Sequence, residues 1–84
     1  MKISVALAAY KGEKYIAEQI DSILIQLGEN DELIVSDDYP QGETRAIVEG
    51  YAAKDARVKY LEGEGKGVIR NFENALKACS GDVI

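Results

Sequence analysis

Two hydrophobic periods alternate along this chain, and that alternation limits what it can fold into. Ile3-Ser4-Val5-Ala6-Leu7-Ala8-Ala9 is a near-continuous apolar run, the pattern of a strand covered on both faces. From Glu13 the period lengthens. Ile16, Ile20, Ile23, Leu24 and Leu27 recur at helical spacing up to Gly28, a natural helix stop. Leu33-Ile34-Val35 reads as a second strand, and Glu43 to Lys54 as a second helix carrying Ile47, Val48, Tyr51 and Ala52 on one side. Val58 to Leu61 reads as a third strand and Glu62 to Gly67 as a glycine-rich loop. A third helix follows, with Val68, Ile69, Phe72, Ala75, Leu76 and Cys79 expected on its inner side. Ser80-Gly81 stops it, and Asp82-Val83-Ile84 opens a fourth strand. The order β-α-β-α-β-α-β predicts an α/β domain, a parallel sheet between helices joined by right-handed crossovers.

Composition narrows the function. The 84 residues suffice for one small domain. The net charge of −5 argues against nucleic acid, whose phosphates need a basic face. With no histidine and a single cysteine, Ser-His and Cys-His nucleophiles, histidine metal sites and an internal disulfide are all excluded. No apolar run is long enough to span a membrane and no signal-peptide pattern is seen, so a cytoplasmic protein is expected. The final strand stops after two or three residues where about five or six are usual. Residues 1–84 are therefore expected to be one partial domain of a larger unit. An uncovered sheet edge invites pairing between chains, hence a homodimer.

In an open α/β sheet, ligands bind outside the C-terminal strand ends. Four features gather there: Ala8 to Lys11, Asp37-Asp38, the glycine loop with Lys66, and Arg70 early in the third helix. Each has a functional and a structural reading. An aspartate can accept hydrogen bonds from a base or a ribose, or organise its own turn. Tyr10 can stack on a base or cover the first helix. Lys66 and Arg70 can meet a diphosphate or remain solvated surface charges. The loop fails the phosphate-binding pattern G-x-x-x-x-G-K-[ST], since Tyr60 holds the place of its first glycine.

Taken in order, these segments resemble family 2 glycosyltransferases. The first strand through Tyr10, followed by Gly12-Glu13-Lys14-Tyr15-Ile16, is similar to the family's opening. Asp21-Ser22-Ile23-Leu24-Ile25-Gln26 resembles the end of its first helix, and Glu32 to Asp38 its second strand with an Asp-Asp pair. Gly67 to Leu76, then Ser80 to Ile84, resembles the third helix and fourth strand. The likeness is greatest to a rhamnosyltransferase-like bacterial branch.

The resemblance implies the Rossmann-like N-terminal half of a GT-A domain, three layers deep, that binds a nucleoside diphosphate sugar of UDP or dTDP type. Ala8 and Tyr10 would line the base pocket, Asp38 would bond the base with Asp37 beside it, and Lys66 or Arg70 would approach the base or diphosphate. The family's inverting transfer to an acceptor hydroxyl, of the cell-surface polysaccharide type, uses Mg²⁺ or Mn²⁺ on a later D-x-D motif and a carboxylate base later still. The resemblance thus assigns no catalytic residue and no metal ligand to these 84 residues, and implies that alone they do not catalyse transfer. Two departures stand at the nucleotide edge: Tyr39-Pro40 where small polar residues are usual, and Lys11 in place of asparagine. The competing expectation is a small non-catalytic α/β module for protein interaction or regulation.

Overall fold

A computed structural model describes residues 2–83. Four parallel strands lie in the order β3-β2-β1-β4, with β1 Ile3–Ala9, β2 Glu32–Asp37, β3 Val58–Glu62 and β4 Asp82–Val83. Helices α1 (Ile16–Gln26), α2 (Thr44–Lys54) and α3 (Val68–Ala78) connect them. The alternating α/β arrangement is the one expected from the two periods. Ile84, the last residue of the predicted fourth strand, lies outside the described residues.

Register fixes which residues share a layer. Ser4 pairs with Glu32 and Ala9 with Asp37, while Leu33 pairs with Val58 and Asp37 with Glu62. Because strand side chains alternate, Ala9, Leu33, Val35 and Val58 face one side and join Ile16 and Ile20 of α1 and Val48 of α2 in a fully buried core. Ser4, Glu32, Ile34 and Ser36 face the other side, where α3 lies against β1 and β2. β1 and β2 therefore have a helix layer on each face, which explains their near-continuous apolar character. The chain builds from β1 through β2 to β3, then returns across β1 to β4. The sheet thus changes direction at β1, and the C-terminal strand ends beside it are where such folds place a ligand.

Three expectations change. α1 begins at Ile16 rather than Glu13, because Gly12 to Tyr15 form a turn in which the Gly12 carbonyl accepts from the Tyr15 and Ile16 amides. β2 runs from Glu32 to Asp37, not only Leu33 to Val35, and all six residues are buried; polar side chains bonded within the fold extend it beyond its apolar centre. The inner side of α3 is also not the predicted one. Val68, Ile69 and Phe72 are 69%, 75% and 41% exposed, whereas Asn71 and Ala75 are buried. The helix is turned by Asn71, whose amide is bonded to the strand ends, and Ala75 one turn later is small enough for close approach. Leu76 and Cys79 remain half-buried. The Cys79 thiol donates to the Ala75 carbonyl, and burial raises its pKa.

Candidate functional site

Three loops leave the C-terminal edge of the sheet side by side. The first carries Tyr10, 53% exposed, and Lys11, whose φ of 51° is left-handed. The second follows Asp37. This side chain is fully buried, Oδ1 accepting the Tyr39 amide at 3.0 Å and Oδ2 the Tyr60 hydroxyl at 2.8 Å. Burial, then the Asp37 carboxylate, raises the pKa of the Tyr60 phenol. Asp37 is thus occupied in holding the turn, and its neighbour leaves the strand pointing elsewhere.

Asp38 faces the third loop. Its Oδ1 accepts the Gly65 amide at 2.7 Å and its Oδ2 the Gly67 amide at 3.3 Å. Its own amide donates to the Ala9 carbonyl at 2.8 Å, and Gly63 donates to the Asp37 carbonyl at 2.7 Å. Three positions of this loop favour glycine. A Cβ at Gly63 would lie 2.5 Å from Asp38 Oδ1 and 2.6 Å from Asn71 Oδ1, and Gly65 and Gly67 have φ of +71° and +98°.

Between the loops lies a cleft of about 330 Å³ lined by Tyr10, Asp38, Gly65, Gly67, Val68 and Asn71. It offers an aromatic face, a carboxylate acceptor, an apolar wall and close backbone. These suit a flat heterocycle carrying an N–H donor. Of the residues singled out from the sequence, Tyr10 and Asp38 line the cleft. Ala8 is half-buried within β1, Asp37 is buried behind the turn, and Lys66 and Arg70 are exposed beside the cleft without lining it. Among the described residues no three His, Cys, Asp or Glu side chains converge as a metal site would require, so no chemical step is assigned to a metal on these residues.

The two departures at this edge are one structure. The Tyr39 and Tyr10 rings meet edge to face, 5.8 Å apart at 72°. Lys11 Nζ sits 4.8 Å from the Tyr39 ring centre and 5.4 Å from that of Tyr10, within cation–π range. Tyr39 thus packs directly on the ring that walls the cleft. Hydrophobic periodicity does not mark Asn71 and Val68 as cleft residues. The one sign of Asn71 in the sequence is a polar position one helical turn before Ala75.

The model of the family described as "Glycosyl transferase family 2" matches residues 4–84. The chain belongs to that family. The EpsE protein of Bacillus subtilis (strain 168), whose name places it among glycosyltransferases, is 35% identical over 85 residues, covering 99% of this chain and 31% of EpsE. The UDP-Glc:alpha-D-GlcNAc-diphosphoundecaprenol beta-1,3-glucosyltransferase WfgD of Escherichia coli is 36% identical over 83 residues, covering 98% and 32%. Glycosyltransferase GlyG of Streptococcus pneumoniae serotype 4 is 31% identical over 83 residues, covering 98% and 28%. The chain therefore spans about a third of the length of these family members. No solved structure matches it. Among the described residues no helix is long and apolar enough to cross a membrane.

Proposed function

We propose that these residues form the donor-nucleotide half of an inverting glycosyltransferase. The whole enzyme would move a sugar from a UDP- or dTDP-linked donor to an acceptor hydroxyl during cytoplasmic synthesis of a cell-surface polysaccharide. The observation that carries the reading is one cleft, at the C-terminal edge of the sheet, walled by the Tyr10 ring and the Asp38 carboxylate. A uracil or thymine ring can stack on the former and donate its imide N–H to the latter. Lys66 and Arg70, both exposed and next in sequence to cleft residues, would meet the diphosphate in this proposal. WfgD, named as a UDP-glucose enzyme acting on an undecaprenol-linked sugar, supports a UDP donor more than the rhamnosyl branch. Mg²⁺ or Mn²⁺ and the catalytic base belong, in this proposal, to parts of the family fold beyond these residues. The 84 residues then bind nucleotide and do not turn over donor.

Titration of the ¹⁵N-labelled protein with UDP and with dTDP tests this. Shifts are expected at Tyr10, Asp38, Gly65 and Gly67, and are expected to vanish in Asp38→Ala. No perturbation by either nucleotide at millimolar concentration would overturn the donor-site reading in favour of a non-catalytic module. Sugar transfer by the isolated chain would overturn its restriction to binding.

A further inference from the structure

Asn71 is a buried polar residue on the face of α3 turned toward the sheet, and it bonds to the ends of β1 and β2 and packs against the loop that follows β3. Its Nδ2 donates to the Ala9 carbonyl at 3.0 Å and to the Ser36 carbonyl at 2.9 Å. Ala9 immediately precedes Tyr10, and Ser36 immediately precedes Asp37-Asp38. Its Oδ1 accepts from the Ser36 hydroxyl at 2.6 Å, and that hydroxyl accepts from Asn74 Nδ2 at 2.8 Å. Asn74 also donates to the Glu62 carbonyl at the end of β3, at 3.2 Å. The third loop packs on the same amide, since a Cβ at Gly63 would strike Asn71 Oδ1.

The chemistry of these partners permits one arrangement. Two main-chain carbonyls can only accept, so the nitrogen must face them and the oxygen must face the hydroxyl. Both amide hydrogens are then used, and no buried side-chain donor or acceptor among the described residues lacks a partner. A fully bonded buried network rigidifies what it joins. Here it joins the ends of β1, β2 and β3 where they turn into the cleft.

We propose that Asn71 is the positioning residue of the cleft: its amide sets the distance between the Tyr10 wall and the Asp38 acceptor, with Ser36 and Asn74 holding the amide in place. This rests on the donor-site reading for its role in binding, but not for its effect on the loops. Aspartate is nearly the same shape, yet an ionised carboxylate at this position would face two carbonyl oxygens with nothing to donate. Burial among those oxygens favours the protonated acid, which restores one of the two donated bonds.

Hydrogen exchange on the nucleotide-free protein tests the proposal directly. In Asn71→Asp near neutral pH, the Asp38, Gly63, Gly65 and Gly67 amides are expected to exchange about tenfold faster or more, the worth of one lost buried hydrogen bond. The Leu33 amide, bonded to the Arg57 carbonyl at the opposite edge of the sheet, serves as the control and is expected to change little. The variant-to-wild-type ratio is expected to fall as pH is lowered from about 8 to about 5, as the new acid protonates. Tyr10, Asp37, Asp38 and Glu62 around this corner are common to both proteins and cancel in the ratio. Ser36→Ala, which introduces no charge, is expected to give a smaller change at the same four amides and no pH-dependent recovery. Equal acceleration at Leu33 and the cleft amides in both variants, or no acceleration at the cleft, would overturn the proposal. UDP affinity, measured alongside, separates the two readings. Binding by wild type that weakens in Asn71→Asp supports both, whereas absence of binding by wild type removes the donor site and leaves the exchange result to judge Asn71.

Discussion

Asp37 and Asp38 are chemically identical neighbours with different work, and strand geometry separates them. The last residue of β2 still obeys the two-residue alternation, so Asp37 is carried inward to the Tyr39 amide and Tyr60 hydroxyl. Asp38 has left the strand and opens onto the cleft. The sequence reveals the pair as a candidate site because two acids at a strand end are unusual. It does not reveal which acid is buried, since that depends on the residue at which pairing stops, and β2 continues two residues, Ser36 and Asp37, beyond its apolar centre. The two alanine variants are therefore expected to differ in kind. Asp37→Ala leaves a half-buried phenol and a turn amide without their acceptor, which costs about 1–3 kcal/mol and is measurable by urea unfolding. Asp38→Ala is expected to change stability by less than that while abolishing nucleotide-induced shifts.

At the scale of elements, alternation of period predicts every strand and helix in order, because each element is short and its period unmixed. The orientation of α3 does not follow from that alternation. Amphipathic reasoning assigns apolar residues to the inside, and Val68, Ile69 and Phe72 satisfy that rule on paper. Docking instead depends on a polar contact between Asn71 and two strand-end carbonyls, and on the small Ala75. Neither registers in a hydrophobic pattern, and Val68 instead lines the cleft. Two substitutions distinguish the orientations. Ile69→Ser, at a position 75% exposed, is expected to change stability by no more than about 0.5 kcal/mol. Ala75→Leu, at a position with no exposure, forces α3 away from the sheet and is expected to cost about 1–3 kcal/mol. The predicted orientation would make the first substitution the damaging one, and thermal or urea unfolding of both variants decides between them.

Across the whole molecule, the sheet is tied at both ends by polar residues, and the end opposite the cleft depends on one buried carboxylate. Glu32, 2% exposed, accepts from the Ser4 hydroxyl of β1, from the Ser80 amide and hydroxyl in the turn before β4, and from Lys59 Nζ of β3 at 3.0 Å. It thereby gathers all four strands at one corner. Burial alone would raise its pKa, but the bonds from Ser4, Ser80 and Lys59 outweigh burial and lower it from 4.5 to about 2. A depressed carboxylate contributes its stability above the unfolded value and loses it as pH falls through the folded one. Unfolding free energy is therefore expected to decline between about pH 4.5 and pH 2, by an amount on the order of 2–3 kcal/mol from this group. Asp31 and Asp55 are also shifted downward and act in the same acidic range, so the wild-type slope alone does not isolate Glu32. Glu32→Gln does. It is expected to be less stable than wild type at pH 6, because a carboxamide presents donors where the corner supplies donors already. It is also expected to show a shallower decline toward acid. Urea unfolding of both proteins at several pH values measures the difference, and parallel declines would show that Glu32 does not govern acid stability.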